Sequence, residues 1–274
     1  MADKIPTGVA KLDKALGGGL TPGLIILVIG EPGSGKTTLL RKFLCDGVES
    51  GNDSIYLLTN RSLDRVLTNL SRAGCDYADS DKMKFMLYSG VVSQRVKSLV
   101  GNYEDLIDIA YNCERLVSNF EPGKARMAID DISYLFLMNN KDIVFKFLQR
   151  ITQILREKDV TCLVEVQKGM LDPQIVTALE SLTDGTIEMK RDGEKKSIRV
   201  SRMEDNGVAA DWISFEMSPG SGAAINAEKT LDDWEKVLFE GGPDYGENKV
   251  RVLLRDIREK GKAAPKKGKF NILN

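Results

Sequence analysis

A glycine-rich loop between an apolar segment and a helical segment constrains the fold of this chain most strongly. The sequence GEPGSGKT, from Gly30 to Thr37, matches the pattern G-x-x-x-x-G-K-[ST]. It ends the apolar run Leu24–Gly30, which predicts a buried strand, and it precedes apolar residues at helical spacing. Because the pattern binds phosphate in this strand–loop–helix context, we predict a phosphate-binding loop here.

The residue types of this loop suit the phosphates of a nucleotide. Glycines let backbone N–H groups approach phosphate oxygens, and the N-terminus of the following helix favours an anion. In such loops the lysine, here Lys36, reaches the β- and γ-phosphates, and the hydroxyl, here Thr37, binds Mg²⁺. The residues predicted to bind the nucleotide are Gly30, Glu31, Pro32, Gly33, Ser34, Gly35, Lys36, Thr37 and Thr38.

Strand and helix patterns alternate along most of the chain. Further buried strands are predicted at Ser54–Thr59, Lys84–Ser89, Ala125–Asp130 and Val160–Gln167. Helices are predicted after the loop, from Ser62 as N-cap, over Tyr103–Asn119 and over Lys141–Glu157. This alternation predicts an α/β fold with a doubly wound, mostly parallel sheet.

The pattern changes in the C-terminal third of the chain. Two strands around an Asp-Gly turn within Gly185–Met203 predict a hairpin, and Asp211–Met217 reads as another strand. We expect these strands to extend the sheet in antiparallel fashion. We therefore predict one domain over residues 1–225 and a tail over 226–274, with a short helix at 231–239 and a basic helix at 249–262.

Histidine content and cysteine spacing exclude several classes of enzyme. The chain has no histidine, which removes imidazole bases and Ser-His-Asp catalysis. Its four cysteines lie far apart without a C-x-x-C pair, so neither a disulfide framework nor a zinc site is expected. We predict a reduced, cytoplasmic protein. No apolar run reaches the ~18 residues of a membrane span, so none is expected.

The charge is distributed unevenly. The segment 247–274 contains nine Lys or Arg residues against three Asp or Glu, while the rest of the chain carries a net charge of −7. A basic tail of this kind can follow the phosphates of a nucleic acid or dock on a protein partner. A solvated, disordered end is the alternative.

An acidic pair follows the strand Ala125–Asp130. Asp130 ends that strand and is predicted to hold Mg²⁺ through water, and an acidic turn without a ligand is the alternative. A guanine-recognition motif is not supported, because Asn140-Lys141-Asp142 lacks the residue needed between lysine and aspartate. ATP and Mg²⁺ are therefore the predicted cofactors.

The segment from Thr7 to Leu40, TGVAKLDKALGGGLTPGLIILVIGEPGSGKTTLL, resembles the KaiC-like group of the RecA superfamily of ATPases. IDDIS, LTDGTIEMKR and IRVSRMEDNG also match, so the resemblance covers roughly Thr7–Met217. It implies a RecA-like fold and a homo-oligomer, ring or filament, with ATP at the subunit interfaces. The archaeal motor ATPase FlaH and archaeal RadA-type recombinases are similar, which implies an archaeal-type protein.

The chain departs from this family where the catalytic glutamate is expected. The matching positions, in IYLLTNRS, are Asn60 and Arg61. An amide can orient water but cannot take its proton, so we expect slow or absent hydrolysis with ATP binding intact. Asp131 is a candidate substitute base. For Glu165, an acid in a buried strand, a structural role is expected.

Two further site residues are implied by the resemblance. Gln167 matches the polar sensor that reads the γ-phosphate, and a surface glutamine is the alternative. Arg202 matches part of the basic finger that reaches a neighbouring subunit's nucleotide. Glu204 reverses the second charge of that finger, and a solvated arginine at a strand end is the alternative.

These features favour an ATP-binding protein that acts as a nucleotide-dependent regulatory or assembly ATPase with weak hydrolysis. A DNA-binding recombination or repair mediator of the RadA type and a FlaH-like motor component are the alternatives. A small-molecule kinase is less favoured, because no arginine cluster suited to a lid is evident.

Overall fold

A sheet of ten strands forms the frame of the protein in a computed structural model that describes residues 4–77, 79–90, 92, 96–204, 211–217 and 225–226. The strands are β1 Ile25–Gly30, β2 Ser54–Leu58, β3 Met83–Tyr88, β4 Leu99–Tyr103, β5 Arg126–Asp130, β6 Thr161–Gln167, β7 Gly185–Asp192, β8 Lys195–Met203, β9 Ile213–Met217 and β10 Ile225–Asn226. Their order across the sheet is β10-β9-β8-β7-β1-β6-β5-β2-β3-β4.

Helices cover both faces of the sheet. They are α1 Ala10–Ala15, α2 Lys36–Glu49, α3 Leu63–Arg72, α4 Leu106–Val117, α5 Ile132–Met138, α6 Lys141–Glu157 and α7 Pro173–Leu182. Alternate residues of β1 enter two cores: Val28 packs in the core that includes α1 to α3, and Leu27 packs in the core that includes α4 to α7. Burial on both faces explains why β1 is apolar at every position before its final glycine.

Parallel and antiparallel pairing divide as the sequence predicts. β7, β1, β6, β5, β2, β3 and β4 pair in parallel, whereas β7–β8, β8–β9 and β9–β10 pair antiparallel. The α/β fold with an antiparallel C-terminal extension is confirmed. In the parallel part, Gly30 lies opposite Gln167, and Leu58 lies opposite Asp130. The residues predicted to bind nucleotide and metal therefore meet at one edge of the sheet.

Several short elements were not predicted. The helices α1 and α5 have six and seven residues, too few turns for a clear apolar period. The ten-residue helix α7 was also not predicted. The predicted helix start at Tyr103 was wrong, because Tyr103 ends the edge strand β4. Asp105 instead caps α4 by accepting a hydrogen bond from the Ile107 N–H. Ser62 does occupy the N-cap position of α3, but its side chain makes no capping bond.

The predicted C-terminal tail cannot be compared with the structure. The predicted helices at 231–239 and 249–262, and the basic residues between 260 and 269, lie outside the described residues. The division into a domain over 1–225 and a tail over 226–274 stays a prediction. In the described part of the chain, no helix combines the length and the apolar character needed to cross a membrane.

Candidate nucleotide-binding site

The loop between β1 and α2 requires its glycines. Gly33 and Gly35 have φ values of 75° and 105°, in the left-handed region that side chains with a Cβ rarely adopt. A Cβ on Gly30 would lie 2.4 Å from the Met189 carbonyl oxygen on the neighbouring strand. Gly35 is also the N-cap of α2 and supplies no side-chain acceptor to the first turn of that helix. The loop thus presents a helix N-terminus that suits a bound anion.

The Lys36 side chain folds back and hydrogen-bonds to the backbone of the loop. Its side chain is only 3% exposed. The ammonium Nζ donates to the carbonyl oxygens of Gly30 and Glu31 at 2.9 and 3.0 Å, and to Gln167 Oε1 at 3.3 Å. Burial lowers the pKa of Lys36, while the nearby Glu165 carboxylate opposes that shift. The structure therefore brings Lys36 and Gln167 together, as the predicted roles require.

Glu165 lies beside the loop, a contact that the sequence pattern does not predict. The Thr37 hydroxyl lies 3.0 Å from Glu165 Oε2 and 3.2 Å from Oε1, so it donates to this carboxylate. Glu165 Oε1 is also 3.8 Å from Lys36 Nζ. Since Glu165 pairs in register with Val28 on β1, it faces the same side as α2. The sequence does hold one sign that Glu165 has a partner, because a charged residue inside a mostly apolar buried strand is rarely left unpaired.

Asp130 is fully buried at the end of β5. Its Oδ2 accepts a hydrogen bond from the Tyr56 hydroxyl at 3.1 Å and lies 2.5 Å from Arg61 Nε. Its Oδ1 has no hydrogen-bond partner among the described residues. Burial raises the pKa of Asp130, and the Arg61 guanidinium opposes that shift. The Thr37 hydroxyl and this buried carboxylate are the oxygen donors that a hard cation such as Mg²⁺ prefers.

The two candidates for activating water differ in their surroundings. Asn60 is exposed in the bend after β2. It lines a polar recess of about 300 Å³ with Arg41, Arg61, Ser62, Arg65, Val66 and Asn69. Asp131 is the N-cap of α5, with φ 52°, and accepts a hydrogen bond from the Ser133 N–H at 3.1 Å. The Asp131 carboxylate therefore serves as a helix cap in this structure.

Arg202 is held within its own chain. Its Nη2 donates to the carbonyl oxygens of Glu180, at 2.6 Å, and of Thr183. Its Nη1 lies 3.4 Å from Glu204 Oε1. These bonds fix the guanidinium at the C-terminal end of α7, where it satisfies carbonyl groups that the helix leaves free. Its predicted role at a neighbouring subunit's nucleotide stays a prediction.

Comparison with protein-family models decides the family. The model described as ATPase: KaiC matches residues 5–230, most of the chain. The chain belongs to the KaiC family of ATPases. This KaiC-family chain also resembles a solved KaiC-like protein from Pyrococcus horikoshii, with a TM-score of 0.64 and 19% identity, over 80% of this chain and 97% of that one. At this identity the likeness supports the fold alone.

Curated relatives of this KaiC-family chain include proteins of different sizes. A UPF0273 protein of Thermotoga maritima is 27% identical over 80% of this chain and 94% of its own length. The circadian clock oscillator protein KaiC of a Picosynechococcus strain is 27% identical over 94% of this chain and 49% of its own. The DNA repair protein RadA of Mycolicibacterium smegmatis is 40% identical over 26% of this chain. The chain spans only 16% of the length of that RadA protein.

The buried carboxylate of Glu165 leads to a prediction on pH. Burial, with a further contribution from Asp130, raises the pKa of Glu165 to about 7 from the ordinary 4.5. Between these values the folded protein binds more protons than the unfolded chain, so the free energy of unfolding falls as pH rises. In Glu165→Gln this contribution is absent. We expect the nucleotide-free variant to have a flatter dependence of unfolding free energy on pH.

The measurement is denaturant unfolding of the wild type and Glu165→Gln across this pH window. The quantity compared is the slope of unfolding free energy against pH. The substitution also removes the contact with Lys36, and that loss shifts stability by a pH-independent amount. Glu188→Gln is the matched control, since Glu188 is partly exposed and ion-paired with Arg199 on the antiparallel strands. Equal slopes for the wild type and Glu165→Gln would show that Glu165 is ionised throughout the window.

Proposed function

We propose that this KaiC-family ATPase binds Mg²⁺-ATP at Gly30–Thr37, hydrolyses it slowly and uses it to regulate or assemble a larger complex. The observation that carries the proposal is that Lys36 and Thr37, at the start of α2, lie near Asp130 at the end of β5. Arg61 is in contact with both Thr37 and Asp130. An ammonium, a hydroxyl and a buried carboxylate are the groups that P-loop ATPases direct at phosphates and Mg²⁺.

The proposed nucleotide contacts divide between backbone and side chains. The glycine loop and the first turn of α2 offer backbone N–H groups to the phosphates. Lys36 exchanges its carbonyl partners for β- and γ-phosphate oxygens, a gain in charge-assisted hydrogen bonds. Thr37 would bind Mg²⁺ and Asp130 would hold it through water, and the ion would supply positive charge beside the phosphates. Gln167, whose Oε1 is 3.3 Å from Lys36 Nζ, is proposed to read the γ-phosphate.

Slow hydrolysis is proposed because the groups near the site are poor general bases. Asn60 carries an amide, which cannot accept a proton from water. The Asp131 carboxylate caps α5, and Glu165 is only 3% exposed and accepts a hydrogen bond from the Thr37 hydroxyl. A positioned general base typically contributes about 10²–10⁴-fold to rate, and its absence costs that factor.

Assembly into a homo-oligomer is part of the proposal. Support comes from apolar side chains that lie exposed around the end of α5 and the start of α6. Leu137, Met138 and Ile143 are 59%, 59% and 51% exposed. Exposed apolar groups close together in a chain are typical of protein contact surfaces. Arg202 and Glu204 would be tested as interface residues only after an oligomer is found.

A second candidate function is binding of DNA, as in repair. It is favoured by the 40% identity to a DNA repair protein RadA over 72 residues. The acidic body of the chain argues against it, and the basic residues of 260–274 argue for it. We expect any DNA binding to fall steeply with salt and to disappear when 260–274 is deleted. Absence of DNA binding at low salt would reject this candidate.

The experiment that tests ATP binding compares Lys36→Ala with the wild type. Loss of charge-assisted hydrogen bonds to phosphate costs about 1.5–3 kcal/mol, so we expect ATP affinity to fall ~10- to 150-fold. Titration with a fluorescent ATP analogue measures this. Lys42→Ala is the matched control, since Lys42 lies on the same helix and pairs with Asp46.

The control variant and the wild type decide between the two outcomes of this test. Lys42→Ala is expected to bind ATP as the wild type does. Because Lys36 is buried and hydrogen-bonded, Lys36→Ala is expected to unfold at a lower temperature, so circular dichroism checks that it is folded at the assay temperature. If the wild type binds no ATP at millimolar concentration, or if Lys36→Ala binds it equally well, the proposed function is wrong.

A further inference from the structure

The Arg61 guanidinium bridges the two groups that are proposed to hold Mg²⁺. Its Nε lies 2.5 Å from Asp130 Oδ2, and its Nη2 donates to Thr37 Oγ1 at 3.1 Å. The contact with Asp130 is an ion pair, and the contact with Thr37 is a hydrogen bond. The loop after β2 brings this side chain from the strand next to β5 to the start of α2.

The contact with Thr37 has a defined direction. A hydroxyl has one proton and two lone pairs, and Thr37 points its proton at Glu165. Its lone pairs are therefore the part that receives the N–H of Arg61. A divalent cation between Thr37 and Asp130 would draw on the same hydroxyl and the same carboxylate, and its positive charge would lie close to that of Arg61. Arg61 and a cation consequently compete for the same groups.

The ion pair with Asp130 is not an ordinary surface pair. Asp130 is 0% exposed, and the Arg61 side chain is 38% exposed. A buried carboxylate without a partner is strongly unfavourable, so the guanidinium offsets the desolvation of Asp130. In the absence of nucleotide and metal, Arg61 thus supplies the positive charge that this carboxylate needs.

We propose that Arg61 is a built-in cation of the phosphate site, which lets ATP bind with little dependence on Mg²⁺. The inference rests on the proposed binding of ATP at Gly30–Thr37. A guanidinium has five N–H donors, so its contacts with Thr37 and Asp130 leave others for a phosphate oxygen. Arginine forms strong, planar hydrogen bonds to phosphate, and it carries its charge at all relevant pH values. Mg²⁺ enters this site by displacing Arg61.

The test measures ATP affinity in excess EDTA and in millimolar Mg²⁺ for the wild type, Arg61→Gln and Arg65→Gln. For the wild type we expect a difference of less than about 3-fold between the two conditions, because Arg61 takes the place of the metal. For Arg61→Gln we expect a loss of roughly 10- to 100-fold in EDTA, recovered when Mg²⁺ reaches the vacated oxygens. Arg65 is exposed on α3 and serves as the control, with wild-type behaviour expected.

A second variant separates charge from packing. Arg61→Lys keeps the positive charge but not the planar pair of donors, and we expect it to retain more affinity in EDTA than Arg61→Gln. Circular dichroism checks that each variant is folded. If Arg61→Gln does not fold, the affinity of Arg61→Lys in EDTA is compared with that of the wild type.

The outcomes distinguish this inference from the proposed function. If the wild type binds ATP tightly in Mg²⁺ and loses as much affinity in EDTA as Arg61→Gln does, the inference is overturned and ATP binding stands. If Arg61→Gln binds ATP equally in both conditions, the inference is likewise overturned. If the wild type binds ATP in neither condition, the proposed function itself fails.

Discussion

Replacing Asn60 with glutamate is expected to raise ATP turnover by about 10²–10⁴-fold, the usual contribution of a positioned general base. Asn60 occupies the position that matches the catalytic glutamate of KaiC-like proteins, directly after β2. The side chain is exposed beside the polar recess, so a carboxylate can be accommodated without creating a buried charge. The measurement is steady-state phosphate release at saturating ATP.

Asn69→Glu is the matched control for this prediction. Asn69 lines the same recess but lies in α3, away from the end of a strand. The Asn69→Glu variant therefore adds the same charge to the recess without placing a carboxylate at the expected catalytic position. We expect its turnover to equal that of the wild type. An Asn60→Glu variant that binds ATP normally and yet turns over at the wild-type rate would contradict the proposed reason for slow hydrolysis.

Replacing Arg126 with alanine is expected to destabilise the protein by about 2–5 kcal/mol, the range for truncating a large buried side chain to alanine. Arg126 is 2% exposed on β5. Its Nη1 donates to the carbonyl oxygens of Pro6 and Phe43 at 3.0 and 2.7 Å. Its guanidinium carbon also lies 4.9 Å from the centre of the Phe43 ring. Alanine would remove both of these hydrogen bonds and create a cavity.

Denaturant unfolding measures this effect, with two comparisons. Arg126→Met keeps much of the volume and removes the donors, so we expect an intermediate loss of about 1–3 kcal/mol. Lys124→Ala, at an exposed position in the same segment, is expected to change stability by less than about 0.5 kcal/mol. A loss below about 1 kcal/mol for Arg126→Ala would show that Arg126 does not join these segments.

Much of the fold follows from the sequence because its elements have clear periods. The helix Lys141–Glu157 was predicted with the bounds it has, since its apolar residues repeat over four turns. The hairpin β7–β8 was predicted from its Asp-Gly turn. The edge strand β4 was missed because it is only partly buried and contains Gly101 and Asn102, which are uncommon in strands.

The candidate site was predictable only where a local motif marks it. The loop Gly30–Thr37 and Asp130 were predicted because each lies at the end of a recognisable strand. Glu165 and Arg61 were placed at the site by pairing between segments that are far apart in the sequence. The apolar pattern of β6 gives no register against β1, so it does not reveal that Glu165 lies across from Val28. Likewise, no periodicity indicates that Arg61 folds back onto Asp130.

The central claim is that the chain binds ATP and hydrolyses it slowly, and one sample tests both parts. Purified wild type is incubated with radiolabelled ATP and Mg²⁺, and bound ATP and released phosphate are measured together. We predict saturable binding with a turnover of about 0.001–0.1 per second, that is 10²–10⁴-fold below the typical enzyme value of about 10 per second. A wild-type protein that binds no ATP, or that hydrolyses it at several molecules per second, would contradict the account.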